Sequence, residues 1–202
     1  MTDFTLRTAD RADVSALFAL EVSIFPSDRL TPRSFRRIVG SASASCRVAV
    51  AAGRLAGYHV VLFRRGSAAA RLYSIAVAPE FRGQGLAALL MNDAETVARQ
   101  RGSRRLRLEV RADNAGAIRL YERLGYHAFG RIAGYYSDGA TAVRYERNLD
   151  GGEKNLSSSP AEDRSSRDSD ATLAYMNQSV RPDFASAVRA EAPRGSYRPP
   201  HR

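Results

Sequence analysis

The 202-residue chain has one cysteine, one lysine and no long apolar run. A single thiol, Cys46, can form neither an internal disulfide nor a cysteine-rich metal site, which suits a reducing compartment. Nothing approaches the ~18 consecutive apolar residues of a membrane span. The opening "MTDFTLRTADRADVSALFAL" carries acids early and lacks the pattern of a secretory signal. The expectation is therefore a cytoplasmic protein with no membrane partner. Because Lys154 is the sole lysine, the net charge of +10 is almost all arginine. Guanidinium groups stay charged near pH 7 and fork well onto phosphates and carboxylates. Such a field serves a phosphorylated cofactor, an acidic peptide, RNA or a ribosome surface, or it reflects residue usage alone. Composition does not choose among these.

Composition shifts near Asp150. Residues 1–150 hold 23 basic and 14 acidic side chains, so they carry nine of the ten net positive charges. They alternate apolar runs with turn signals and read as one domain. Residues 151–202 begin "GGEKNLSSSPAEDRSSRDSD" and end in a proline-rich stretch. They bury too little apolar surface to offset ordering entropy and are expected to be a disordered tail, with a short helix over 183–192 as a local exception. The tail is nearly neutral, so it is no basic nucleic-acid arm, and no direct nucleic-acid binding is expected.

Periodicity within 1–150 predicts a mixed α/β fold in the order βααβββαβαββ, about seven strands in one sheet with helices on both faces. "FTLRTA" alternates as a strand. Asp10 caps a helix whose stripe is Val14, Leu17, Phe18, Leu20 and Val22. Thr31 and Pro32 open a second, short helix. "CRVAVAAGRLAGYHVVLFRR" reads as two strands joined at Ala52 to Arg54, and "ARLYSIAVAP" is a fourth strand. "LAALLMNDAETVARQRG" is a long helix closed by Gly102. "RRLRLEVR" alternates, with Leu106, Leu108 and Val110 on one face. "NAGAIRLYERLG" is a helix capped by Asn114 and stopped at Gly125, and "YHAFGRI" and "TAVRYERNL" close the sheet. Cys46 reads as a small core residue. His59 and His127 show no carboxylate at metal spacing, so no metal site is expected.

The stretch "EFRGQGLAALL" sets two glycines against a strong helix former. A helix start presents unpaired amides and partial positive charge, and an anion placed there gains several donors together. Close backbone approach favours glycine. Arg82, Gly83, Gln84, Gly85, Leu86 and Ala87 meet these needs between a strand and a helix. No Lys-Ser/Thr pair follows and there is no G-x-G-x-x-G, so nucleotide and dinucleotide loops are disfavoured. The plain alternative is a glycine-rich connection.

"IAVAPEFRGQGLAALLM" resembles the acetyl-coenzyme A signature of the GNAT N-acetyltransferases, whose Arg/Gln-x-x-Gly-x-Gly/Ala motif fits Arg82 to Ala87. "LEVRADNAGAIRLYERLGY" is similar to the RimI-type protein N-terminal acetyltransferases, with a Glu-bearing strand before an Asn-x-x-Ala-x-x-Leu-Tyr helix. The resemblance spans residues 4–149 and is strongest over 73–126. It implies a sheet splayed between strands 4 and 5. Acetyl-CoA would lie there as co-substrate, with pantetheine on the backbone of Ile75, Ala76 and Val77, pyrophosphate on the amides of Arg82 to Ala87, and Asn114 as a cap, a CoA contact or both.

The resemblance also implies Glu109 as general base, directly or through water, and Tyr121 as general acid. Read from the residues alone, Glu109 shares its face with Arg107 and Arg111 and is equally a carboxylate satisfied by them. Tyr121 is equally an aromatic packed beside Ile118 and Leu124. A weak base suits an α-amine, of ordinary pKa about 8, better than a lysine near 10.4. Asp28 in "FPSDRL" and Tyr135 and Tyr136 in "YYSDGA" are candidates for the acceptor groove, while Pro26 with Asp28 and Asp138 with Gly139 are also plain turn formers. The implied acceptor is a protein or peptide N terminus, a ribosomal protein among the options. Alternatives are a small amine, a polyamine or a lysine, and, outside enzymes, a degenerate acyl-CoA-binding or ribosome-binding module.

Overall fold

A computed structural model describes residues 2–25 and 29–150. The strands are β1 (Thr5–Thr8), β2 (Ala44–Ala51), β3 (Arg54–Leu62), β4 (Ala69–Val77), β5 (Arg105–Arg111), β6 (His127–Ile132) and β7 (Ala142–Asn148). The helices are α1 (Val14–Ile24), α2 (Pro32–Val39), α3 (Leu86–Gln100) and α4 (Ala115–Arg123). The element order is the one the periodicity predicts. All seven strands form one sheet in the order β1-β2-β3-β4-β5-β7-β6, and only β4 and β5 are parallel.

Each face of the sheet buries its own cluster. Leu17, Leu20, Phe35 and Ile38 of α1 and α2 pack on Tyr58 and Val60. On the other face, Leu86, Leu90 and Met91 of α3 and Leu120 of α4 pack on Val61, Leu106 and Leu108. Gly57 permits the close fit of α3: a Cβ there would stand 2.7 Å from the Ala76 carbonyl and 3.0 Å from Leu90 Cδ1.

The predicted caps form. Asp10 accepts from the amides of Ala12 and Asp13, and the Asp13 carboxylate accepts from Asp10 N at 2.8 Å. That reciprocal box opens a 3-10 turn over Arg11–Asp13 before α1 begins. The buried stripe of α1 then falls on Val14, Leu17, Leu20, Glu21 and Ile24. Val22 is a correction: at 43% exposed it lies outside the stripe. It sits about 100° around the helix from Glu21, which is buried because it is paired. Glu21 accepts from Leu30 N at 2.7 Å and from the Tyr58 hydroxyl, which also bonds Ser74. Thr31 caps α2 by accepting from Ser34 N at 3.1 Å.

The histidines each meet one carboxylate that is distant in sequence. His59 Nε2 lies 2.7 Å from Asp93, and His127 Nε2 lies 3.6 Å from Glu146. Arg47 adds a bidentate bond to Asp93, 2.9 Å on each arm. Burial opposes the charge of Asp93, but the bonds from His59 and Arg47 outweigh it and hold the carboxyl at about 2. Among the described residues no group of three or more potential metal ligands occurs. Cys46 is buried as expected, and burial, with Asp13 adding, pushes its thiol up to about 12. No helix among the described residues is long and apolar enough to cross a membrane. The disordered-tail and 183–192 helix expectations lie outside the described residues.

Candidate active site

The β4–β5 pairing is short. It joins Ala69, Ala70 and Arg71 to Arg105, Leu106 and Arg107 and then stops. Beyond it, β4 stays paired to β3 as far as Val77, and β5 stays paired to β7 as far as Arg111. The two strands therefore part, and among the described residues no strand pairs across the opening with the facing edges of Ile75–Val77 and Leu108–Arg111. Backbone groups on such an edge need other donors and acceptors. Ile75, Ala76 and Val77 stand on it, with their side chains buried.

β4 delivers the chain into a 3-10 turn at Pro79–Phe81 and then the glycine loop. Gly83 has φ +73° and Gly85, the N-cap of α3, has φ +78°. A Cβ at either position would meet nothing within 4 Å, so glycine is demanded by the backbone angle and not by crowding. The first helical bond of α3 runs from Leu89 N to Gly85 O at 3.1 Å, so the amides of Leu86, Ala87 and Ala88 come before it. Leu86 and Ala87 bury their side chains beneath the loop, whereas Gly83, Gln84 and Gly85 are exposed. Gln84 turns its side chain elsewhere: its amide donates to Glu80 O at 3.1 Å and its carbonyl accepts from Thr2 at 2.6 Å. Exposed amides over buried apolar anchors fit a pyrophosphate.

Glu109 projects from β5 at 10% side-chain exposure. Its arginines are not the same-face neighbours on its own strand. Arg107 pairs with Glu146 at 2.9 Å, and Arg111 pairs with Asp113 and Asp138. Glu109 is held from the flanking strands, by Arg71 Nε of β4 at 2.9 Å and by Arg144 Nε of β7 at 3.7 Å. Arg71 also donates to the Tyr135 hydroxyl at 2.7 Å. Arg71 and Arg144 were beyond sequence reasoning, since their link to Glu109 depends on strand order.

Tyr121 is 1% exposed on α4, with its ring 5.8 Å from that of Tyr126 and 6.3 Å from that of Tyr145. Burial, then the field of Tyr136, raises its phenol above the ordinary range, so it stays a proton donor. Glu109 and Tyr121 occupy opposite sides of β5, the first among arginines and the second in the apolar cluster. Tyr136 stands in the field of both. It is 3% exposed, stacks edge-on with Tyr135 at 5.2 Å and lies beneath the Arg111 guanidinium at 4.8 Å. Among the described residues its buried hydroxyl has no hydrogen-bond partner. The turn reading of this loop also holds: Asp138 Oδ1 accepts from Ala140 N at 3.1 Å, and Gly139 has φ +82°. Asn114 caps α4 by accepting from Ala117 N at 3.0 Å. Asp28 lies outside the described residues.

A parted parallel pair that feeds a glycine loop at a helix start, beside a carboxylate and a buried phenol, is the frame of an acyl-CoA-dependent acyltransferase. The profile of the acetyltransferase (GNAT) family matches residues 14–126, and the chain belongs to that family. It is an N-acetyltransferase that draws on acetyl-CoA. The chain is 30% identical over 137 residues to a putative [ribosomal protein bS18]-alanine N-acetyltransferase of Bacillus subtilis, covering 68% of this chain and 89% of that one. It is 34% identical over 148 residues to the streptothricin acetyltransferase of Streptomyces lavendulae, covering 68% and 78%. Among solved structures, the ribosomal-protein-S18-alanine N-acetyltransferase from Escherichia coli superposes with a TM-score of 0.67 at 26% identity, covering 76% of this chain and 99% of that one.

Proposed function

We propose that the chain moves the acetyl group of acetyl-CoA to the α-amine of a protein N terminus, by direct attack in a ternary complex. The parting of β4 and β5 just ahead of the Gly83–Gly85 loop carries this reading. Pantetheine takes up the free edge of Ile75–Val77, and pyrophosphate takes the loop amides and the positive end of the α3 dipole. Arg82 adds charge beside them.

Glu109, directly or through water, removes a proton from the incoming ammonium. The amine nitrogen then bonds to the thioester carbon. Charge collects on the carbonyl oxygen, where backbone amides of the parted strands stabilise it. The C–S bond breaks, Tyr121 gives its proton to the departing thiolate, and the second proton released by the nitrogen returns to the Tyr121 phenolate through solvent. An α-amine, with its lower ordinary pKa, suits a carboxylate base better than a lysine does. Tyr135 and Tyr136 line the acceptor end beside Glu109, and the role assigned to Asp28 is attraction of the cationic amine. The bS18-alanine relatives support a ribosomal-protein N terminus as the acceptor class.

A second reading rests on the streptothricin acetyltransferase relative, which favours a small-molecule amine. The test is CoA thiol release with a panel of N-terminal peptides, their N-blocked lysine counterparts, polyamines and streptothricin. Peptide turnover that vanishes when the α-amine is blocked is the expected result. A stronger response to polyamines or streptothricin moves the assignment to the small-amine reading. Acetyl-CoA binding without turnover on any acceptor favours a binding module.

A further inference from the structure

Acetyl transfer leaves one end of the molecule unexplained. The closed end of the sheet, where β4 and β5 are still paired, gathers arginines from separate loops. Ala68 O accepts from the amides of Arg104 and Arg105 at 2.7 and 3.1 Å, so the β3–β4 loop with Arg64 and Arg65 meets the turn after α3. Arg101 lies 4.8 Å over the Phe63 ring and donates to Ala42 O at 2.6 Å, fixing it at the same end. Arg65, Arg101, Arg104 and Arg105 are exposed, and Arg64 is half-buried.

These arginines differ from those that hold a carboxylate closely, although Arg105 acts on Glu146 through its field. Arg47, Arg71, Arg107 and Arg147 each hold a carboxylate at 2.9 Å. At the closed end, the one ion pair among the described residues is Arg104 with Asp150, at 3.9 Å and well exposed. Among the described residues, this end also lacks the apolar centre of a protein interface. The exposed large hydrophobics, Val22, Leu89 and Ile132, all lie elsewhere. Phe63 is partly buried against the core and Arg101 lies over its ring, so it is poorly placed for base stacking.

We propose that this end is a docking surface for the phosphate backbone of a nucleic acid. Exposed guanidiniums with at most a long, solvent-exposed ion pair are open to fork onto successive phosphates. Without stacking faces, the surface recognises the backbone and not the sequence. α3, about 22 Å long, separates it from the cofactor loop, so both ends can be engaged together. This reverses the expectation of no nucleic-acid binding, which rested on the lack of a basic arm in the tail.

The test is fluorescence anisotropy of the full chain with a labelled 12-nucleotide uridine RNA and the matching thymidine DNA, between 50 and 200 mM salt. The expected Kd falls within ~10⁻⁴–10⁻⁶ M for both strands, weakening steeply with salt. R64Q/R65Q/R104Q/R105Q should bind at least ~10-fold more weakly, with the log–log salt slope flattened by about 3, and with acetyl-CoA affinity unchanged. If that variant does not fold, R65Q/R105Q should show about half the slope change. A control removing equal charge elsewhere, R11Q/R33Q/R36Q/R119Q, should bind as the wild type does. Unchanged RNA binding by the closed-end variants would overturn the proposal. So would an equal loss in the control, binding to RNA alone, or displacement of RNA by polyglutamate or anionic vesicles at matched charge.

Discussion

Arg71 and Glu109 meet where the sheet divides. The guanidinium comes from the last β4 residue paired to β5, and the carboxylate stands two residues past the last β5 partner, 2.9 Å away. Replacing Glu109 with Gln keeps the shape and an acceptor for Arg71 but removes the base. The expected result is a fall in kcat/KM of about 10² or more at neutral pH, with acetyl-CoA affinity within about twofold. Comparable pH profiles for the variant and the wild type would remove Glu109 from the chemistry.

Tyr121→Phe deletes the proton donor and little volume. Single-turnover acetylation should slow by at least about 10², while the variant folds normally. Because burial raises this phenol, its proton stays in place above the ordinary ~10, so no alkaline loss of rate below that pH should trace to Tyr121. Full single-turnover activity in the phenylalanine variant would dismiss the acid role.

The Cys46 thiol gives a stability prediction with a definite sign. Its folded value of about 12 stands above the ordinary 9.0, so the unfolded chain loses this proton first. The stabilisation is complete below about pH 9 and is lost as pH rises toward 12, amounting to about 2 kcal/mol by pH 10.5. Urea unfolding of wild type and Cys46→Ala at pH 8 and 10.5 should converge by about that amount. Parallel behaviour of the two proteins would show that the thiol titrates normally.

Gly85→Ala puts a side chain at φ +78° with open space around it. The cost is backbone strain alone, about 1 kcal/mol in the folded protein. If the loop relaxes to shed that strain, its amides turn from the anion. Calorimetry should show acetyl-CoA binding weakened by roughly 10-fold. An unchanged Kd would mean the loop amides do not hold the pyrophosphate.

A chain ending at Asp150 keeps every strand and helix of the described fold. It should melt near the full-length temperature and bind acetyl-CoA normally. A large fall in melting temperature would assign residues 151–202 a structural role.

Much of this was legible because it is local. Element order follows from periodicity, Asp10, Thr31 and Asn114 announce caps, and the Gly83–Gly85 loop declares itself by its place between strand and helix. What was hidden depends on strands distant in sequence. Glu109 pairs across the sheet with Arg71 and Arg144, not along its strand with Arg107 and Arg111. His59 finds Asp93 through the packing of α3 on β3. Val22 falls outside the stripe because it sits about 100° around α1 from Glu21, and burial of charged Glu21 could not be anticipated without Tyr58 and Leu30.

Three residue pairs are the whole seam between β4 and β5. A sheet joined so narrowly transmits little order from one half to the other, apart from α3 and the Arg71–Glu109 pair that span the division. On the proposed placement of acetyl-CoA, a ligand lying in the opening would supply the missing strand and close the two halves into one cooperative unit. The melting temperature should therefore climb with acetyl-CoA concentration by mass action, and the amides of Leu72–Val77 should exchange more slowly as it does. The acetyl donor is then consumed by the reaction and, between turnovers, is a component of the fold.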